Sequence, residues 1–131
     1  MRLTCDSRAT PLRLAVAQGD AQAQYLLGFL FSNGLGVQRR DHKRAFALYT
    51  KSAAQGLVNA QNNLGVCYRE GVGVPPNHKK AEECYKQAVD QGFANAQHNL
   101  ACLYHKGGDG VPQDHKQALC LWLAAARQGE Q

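Results

Sequence analysis

Self-similarity constrains this chain more than any other property. The stretch AQYLLGFLFSNGLGV starts at Ala23, AQNNLGVCYREGVGV at Ala60 and AQHNLACLYHKGGDGV at Ala96, a period of about 36 residues. A second unit follows each copy: DHKRAFALYTKSAAQG from Asp41, NHKKAEECYKQAVDQG from Asn77 and DHKQALCLWLAAARQG from Asp114. The end of that unit has one more partner upstream, LRLAVAQG, at Leu12 to Gly19. The chain therefore reads as half a repeat followed by three whole ones.

Inside each copy the apolar residues have helical spacing. Ala60, Leu64, Cys67, Tyr68 and Gly71 trace one stripe, and Ala81, Cys84, Tyr85, Ala88 and Val89 another. Asp41, Asn77 and Asp114 stand where a second helix should begin, each able to accept from free backbone N–H groups. Thr10-Pro11 gives the same start signal for the first short helix. Gly19, Gly56, Gly92 and Gly129 read as left-handed caps that close the second helices. The expectation is an all-α fold: a short right-handed α/α superhelical solenoid of about seven antiparallel helices. It forms a single domain over 1–131, with a half repeat at 10–22 and repeats at 23–56, 57–92 and 93–129.

These motifs resemble the Sel1-like repeat family, a TPR-like solenoid. Its pattern runs approximately A-x-A-Q-x-N-L-G-x-x-Y-x-x-G-x-G-V-x-x-D-x-x-K-A-x-x-W/Y-x-x-A-A-x-x-G, and the match extends from about Thr10 to Gly129. Departures are few. Ala101 replaces the Gly of Gly28 and Gly65, Phe31 replaces the Tyr of Tyr68 and Tyr104, and the third loop carries one extra residue. The resemblance implies a non-enzymatic adaptor that binds other proteins. Some cysteine-rich relatives are associated with binding or hydrolysing β-lactams, but this chain lacks their regular cysteine pairs.

Composition narrows the partner class. The 131 residues are 19% charged and 44% hydrophobic, a globular balance. No run approaches the ~20 apolar residues of a membrane span. MRLTCDSRAT contains no apolar signal core, so the expected location is cytoplasmic. The formal charge of +5 lacks the aromatic-plus-arginine blocks of a nucleic-acid binder, so neither nucleic acid nor membrane is expected as partner. Five cysteines are an odd number, and buried reduced thiols are the leading reading, with a Cys67–Cys84 disulfide as the alternative.

Gly71 and Gly73 form a Gly-x-Gly, yet a phosphate loop follows a strand and opens a helix, whereas this one follows a helix. It reads as a turn, with Val37, Val74 or Val111 tucked into the core. His98, Cys102 and His105 fall on one helix face at i, i+4 and i+7, the residue types that ligate zinc or copper. No fourth ligand is evident, so no metal and no cofactor are assigned, and the alternative function is a thiol- or metal-linked sensor or a β-lactam-binding enzyme-like protein. His42, His78 and His115 recur once per repeat, too far apart to share one ion. No catalytic motif emerges, and the reading is not an enzyme.

Three surfaces remain as candidates. Stacking aligns Arg39, Arg40, Lys43, Arg44, Lys79, Lys80 and Lys116 into a basic ridge, read either as a solvated face or as a surface for an acidic partner. On the first helix of each repeat, the variable positions Tyr25, Phe29, Ser32, Asn62, Val66, Arg69, His98, Cys102 and His105 form the expected concave contact set for a peptide or helix. On the last helix, Leu119, Trp122 and Leu123 make an apolar patch, read as self-association into a homo-oligomer or a contact with another protein, the alternative being a cut from a longer array.

Overall fold

A computed structural model describes residues 13–34 and 41–129. Among these, seven helical segments and no strand occur, arranged as a short right-handed α/α solenoid. Residues 13–17 form α1. Then come α2 (Ala21–Asn33), α3 (His42–Ala54), α4 (Val58–Glu70), α5 (His78–Asp90), α6 (Ala94–Lys106) and α7 (His115–Gly129). Each of α2 to α7 packs chiefly on its neighbours in the chain. Thr10-Pro11, Val37, Arg39 and Arg40 lie outside the described residues.

The expected helix starts are present. Asp20, Asp41 and Asn77 cap α2, α3 and α5, each side chain accepting from the backbone N–H three residues on, and Asp114 does the same for α7 through Gln117. Gly19, Gly56 and Gly92 have φ of 83°, 89° and 78°, the left-handed conformation of a helix stop. Gly129 departs from expectation: it is the last residue of α7, with no left-handed backbone. No later helix follows among the described residues, so no turn there requires one.

One aromatic position organises every repeat. The carbonyls of Phe31, Tyr68 and Tyr104 accept from the N–H of Asp41, Asn77 and Asp114 at 2.7–2.8 Å, which closes the loop between the paired helices. The same rings also seal the junction with the preceding repeat. Tyr68 meets Phe46 edge-on at 5.4 Å, and Tyr104 donates to Glu82 Oε2 at 2.6 Å. Buried glutamines add a second regular tie. Gln55, Gln91 and Gln128 donate their side-chain amides to Gln24, Gln61 and Gln97, each at 2.8 Å.

The Gly-x-Gly loop docks onto the repeat before it. A side chain at Gly73 would run into the carbonyl of His42, so only glycine permits this backbone-to-backbone approach. In the third repeat the extra residue changes the contact: Gly108 lies against the His78 ring, and the Asp109 N–H donates to His78 Nδ1 at 3.1 Å. Val111, at 1% exposure, then enters the core.

Candidate functional site

Stacking of α2, α4 and α6 opens two adjacent grooves along the first-helix side. The first, of about 290 Å³, has Phe29, Ser32, Val66 and Val72 in its wall, Tyr49 from α3 and Glu70 at its edge. The second, of about 430 Å³, is walled by Arg69, Glu70, His78, His98, Asn99, Cys102 and Lys106. Six of the nine expected contact residues therefore line one groove or the other: Phe29, Ser32, Val66, Arg69, His98 and Cys102. A shallower depression of about 310 Å³ lies between α3 and α5, with Thr50, Tyr68, Lys80 and Cys84 in its wall.

The other three are placed differently. Tyr25 is half-buried, its ring 6.0 Å from that of Tyr49, so it is packing rather than open surface. Asn62 is buried at 9% exposure because Asn99 of the next repeat reaches over it and donates to its Oδ1 at 2.9 Å. His105 is exposed but turned toward α7, 5.7 Å from Trp122 and 5.0 Å from His115. What sequence missed comes from other elements. Tyr49 belongs to the second helix and Val72 to the loop, and a one-helix periodicity cannot reveal either.

Trp122 differs from its equivalents for a steric reason. The rings of Tyr49 and Tyr85 press against Gly28 and Gly65, and a Cβ at Gly65 would stand 2.6 Å from the Tyr85 ring. In the third repeat Ala101 supplies that Cβ. The indole sits beside His98 and His105 instead, and Trp122 Nε1–H donates to His98 Nδ1 at 3.1 Å. That bond requires an unprotonated Nδ1, which leaves Nε2 to carry the proton of neutral His98. Cys102 Sγ lies 3.6 Å from that Nε2. Trp122 is thus half-buried by intramolecular partners, while Leu119 and Leu123 are 57% and 51% exposed.

Much of the basic ridge has partners within the chain. Arg44 stacks 5.5 Å from the Phe31 ring and pairs with Asp41 at 3.3 Å. Lys80 stands 5.6 Å from the Tyr68 ring, and Lys79 donates to Glu82 Oε1 at 2.9 Å. These contacts explain cations recurring at a helix N-terminus, where the macrodipole opposes them. Burial alone would raise Glu82, but the bonds from Tyr104 and Lys79, with the charge of Lys86, outweigh it and hold the carboxyl below its usual range.

Cys67 and Cys84 are free thiols, which corrects the disulfide alternative. Burial pushes both up to about 11, with Glu70 adding to the rise at Cys67 and Glu83 at Cys84. Such thiols are poor nucleophiles at neutral pH. Burial raises Tyr49 to about 12, Cys67 adding to the rise and Asn63 and Ser32 beside the hydroxyl lowering it in part. Among the described residues, no group of three or more His, Cys, Asp or Glu side chains is placed to hold one metal ion. Nor is any helix there long and apolar enough to cross a membrane.

The model of the Sel1 repeat matches three times, at residues 21–57, 58–93 and 94–130. The chain belongs to the Sel1 repeat family. Sel1 repeat proteins generally act as protein–protein interaction scaffolds and are typically non-enzymatic. Among solved structures, a protective antigen of uropathogenic Escherichia coli with an SLR fold is 33% identical at a TM-score of 0.89, the alignment covering 92% of this chain and 26% of that one. A Sel1 repeat protein from Oxalobacter formigenes is 36% identical at 0.77, over 87% of this chain and 46% of its own. Cysteine-rich protein B of Helicobacter pylori, 23% identical at 0.68 over 92% of this chain and 90% of that one, shares the fold. The chain thus spans about a quarter and under half of the first two. No curated protein sequence matches it.

Proposed function

We propose that this Sel1 repeat array is a non-enzymatic adaptor that holds a segment of another protein across the faces of α2, α4 and α6. The observation that carries the reading is the pair of adjacent grooves there, built on a shared backbone but lined by different side chains. A regular scaffold with position-by-position variation reads a sequence, whereas one reactive centre would concentrate its chemistry in a single cleft. Phe29, 42% exposed at the rim of the first groove, is the leading anchor, because an aromatic ring in a pocket contributes strongly when covered. Lys43 and Lys116 of the basic ridge form no ion pair among the described residues, and they favour an acidic partner by steering its approach.

Affinity capture tests this with the intact chain and a Phe29→Glu/Lys106→Glu variant, both positions being exposed. A protein retained by the first and lost by the second, and rebound after purification, supports the adaptor reading. Identical captured sets refute it.

At the other end of the array, we assign Leu119 and Leu123 to self-association. Position 119 is equivalent to Phe46 and Glu82, the residues that receive the aromatic ring of the following repeat. Among the described residues nothing covers that position in α7, where Leu119 is apolar and 57% exposed. Two copies meeting through α7 would cover it on both partners at once.

A further inference from the structure

The two grooves differ in chemistry, and that difference specifies a motif. This rests on the peptide-binding reading above and sharpens it. The first groove is mostly apolar, with Phe29, Val66, Val72 and the Tyr49 ring in its wall. The second carries Arg69, Lys106, His78 and His98 against a single acid, Glu70. Glu70 stands between the grooves and takes one Arg69 donor, Nη2 to Oε1 at 3.1 Å. Arg69 has further guanidinium donors, and Lys106 forms no ion pair among the described residues.

A buried tyrosine beside Arg69 and Glu70 shows how the two repeats differ. Tyr49, in the first groove, has Ser32 and Asn63 beside its hydroxyl. Its equivalent, Tyr85, is fully buried next to Arg69 and Glu70, and its hydroxyl has no hydrogen-bond partner among the described residues. The residue in the place of Ser32 is Arg69. The residue in the place of Asn63 is Asn99, whose amide is taken by Asn62. The position that faces the Tyr49 hydroxyl is thus given at Tyr85 to Arg69, which makes the wall of the second groove cationic.

We infer that the partner is an extended segment that places an apolar side chain in the first groove and a carboxylate, of aspartate or glutamate, in the second. The grooves lie on either side of α4, whose diameter with side chains is about 10–12 Å. An extended chain covers that span in about three residues at ~3.3 Å each. The motif is therefore an apolar and an acidic residue about three positions apart. A helix would need about seven residues for the same reach, at ~1.5 Å each.

Selection of random linear peptides on the intact chain tests the motif. The expected result is enrichment of an apolar and an acidic residue about three positions apart. Arg69→Gln/Lys106→Gln should remove the acidic preference and weaken a selected peptide about tenfold, the loss expected for one charge-assisted hydrogen bond. Lys106→Gln alone, at an exposed site, keeps the test valid if the double variant folds poorly. Phe29→Ala should remove the apolar preference only. Enrichment without an acidic position, or an acidic preference unchanged in the glutamine variants, overturns the motif and leaves the peptide-binding reading standing. A spacing of seven overturns the extended form. No enrichment at all overturns both the motif and the reading beneath it.

Discussion

Gly65→Ala separates the packing account of this array from a propensity account, because the two give opposite signs. Gly65 is in the middle of α4, where replacing glycine by alanine ordinarily gains about 1 kcal/mol. Here the added Cβ would stand 2.6 and 2.7 Å from two carbons of the Tyr85 ring. That ring is fully buried, so it cannot swing aside as a flexible chain end would. Overpacking of a close-packed interior costs about 1–3 kcal/mol. Contacts this short call for the upper part of that range, about 2–3 kcal/mol, which leaves a net loss of about 1–2 kcal/mol once the propensity gain is subtracted. Gly28→Ala is the internal control: its Cβ would meet the Tyr49 ring at 3.0–3.1 Å, and a shift of a few tenths of an ångström relieves it. Urea unfolding followed by circular dichroism reads both variants. Gly65→Ala should fall clearly below wild type and below Gly28→Ala. If it were more stable than wild type, tyrosine-on-glycine packing would not be what fixes the helix pair. The explanation of Trp122 through Ala101 would fall with it.

Gly73→Ala should destabilise more than Gly56→Ala by the same urea measurement. Both have positive φ, worth about 1–2 kcal/mol for alanine, but only the Gly73 Cβ also strikes the His42 backbone, while Gly56 faces open space. Glu82 is ionised in the fold and its carboxyl is held low, so its contribution is full above the ordinary glutamate range and is lost as pH falls through the lowered value. Thermal unfolding should therefore weaken across that acidic window in wild type, and less steeply in Glu82→Gln. In sedimentation equilibrium, Leu119→Glu/Leu123→Lys should remain monomeric at concentrations where wild type gains mass. Equal masses would detach α7 from self-association.

The helical skeleton is legible because its signals are local. Asp41, Asn77 and Asp114 announce helix starts by placing an acceptor just ahead of a 3.6-residue stripe. Gly19, Gly56 and Gly92 announce stops through a backbone conformation that glycine adopts most readily. The site is less legible because its deciding contacts cross from one repeat to the next. Asn62 shares a register position with Tyr25 and His98, yet it is buried because Asn99 covers it, and α6 has no later first helix among the described residues to cover His98. Trp122 in place of Tyr and Ala101 in place of Gly look like two unrelated substitutions in sequence. They become one event only when the fold brings the positions face to face. The cations Arg44 and Lys80 likewise suggest an external acid until the rings of Phe31 and Tyr68 are found beneath them.

The docking of the second and third Gly-x-Gly loops onto the second helix of the repeat before each has a consequence for modular construction. A cassette cut at the sequence boundaries carries a loop that belongs to its predecessor and leaves its own second helix uncovered. Shifting the cut by half a period, so that a block opens at a second helix such as α3 and closes after the following loop, keeps His42 with Gly73, or His78 with Gly108 and Asp109. Phe46 with Tyr68 and Glu82 with Tyr104 then also travel together. Arrays lengthened from such blocks keep every loop seam intact and leave the within-repeat contacts, such as Tyr85 against Gly65 and the Asn77 N–H on the Tyr68 carbonyl, to form between blocks. Cassettes joined at Ala23, Ala60 or Ala96 would have to recreate the loop seams instead.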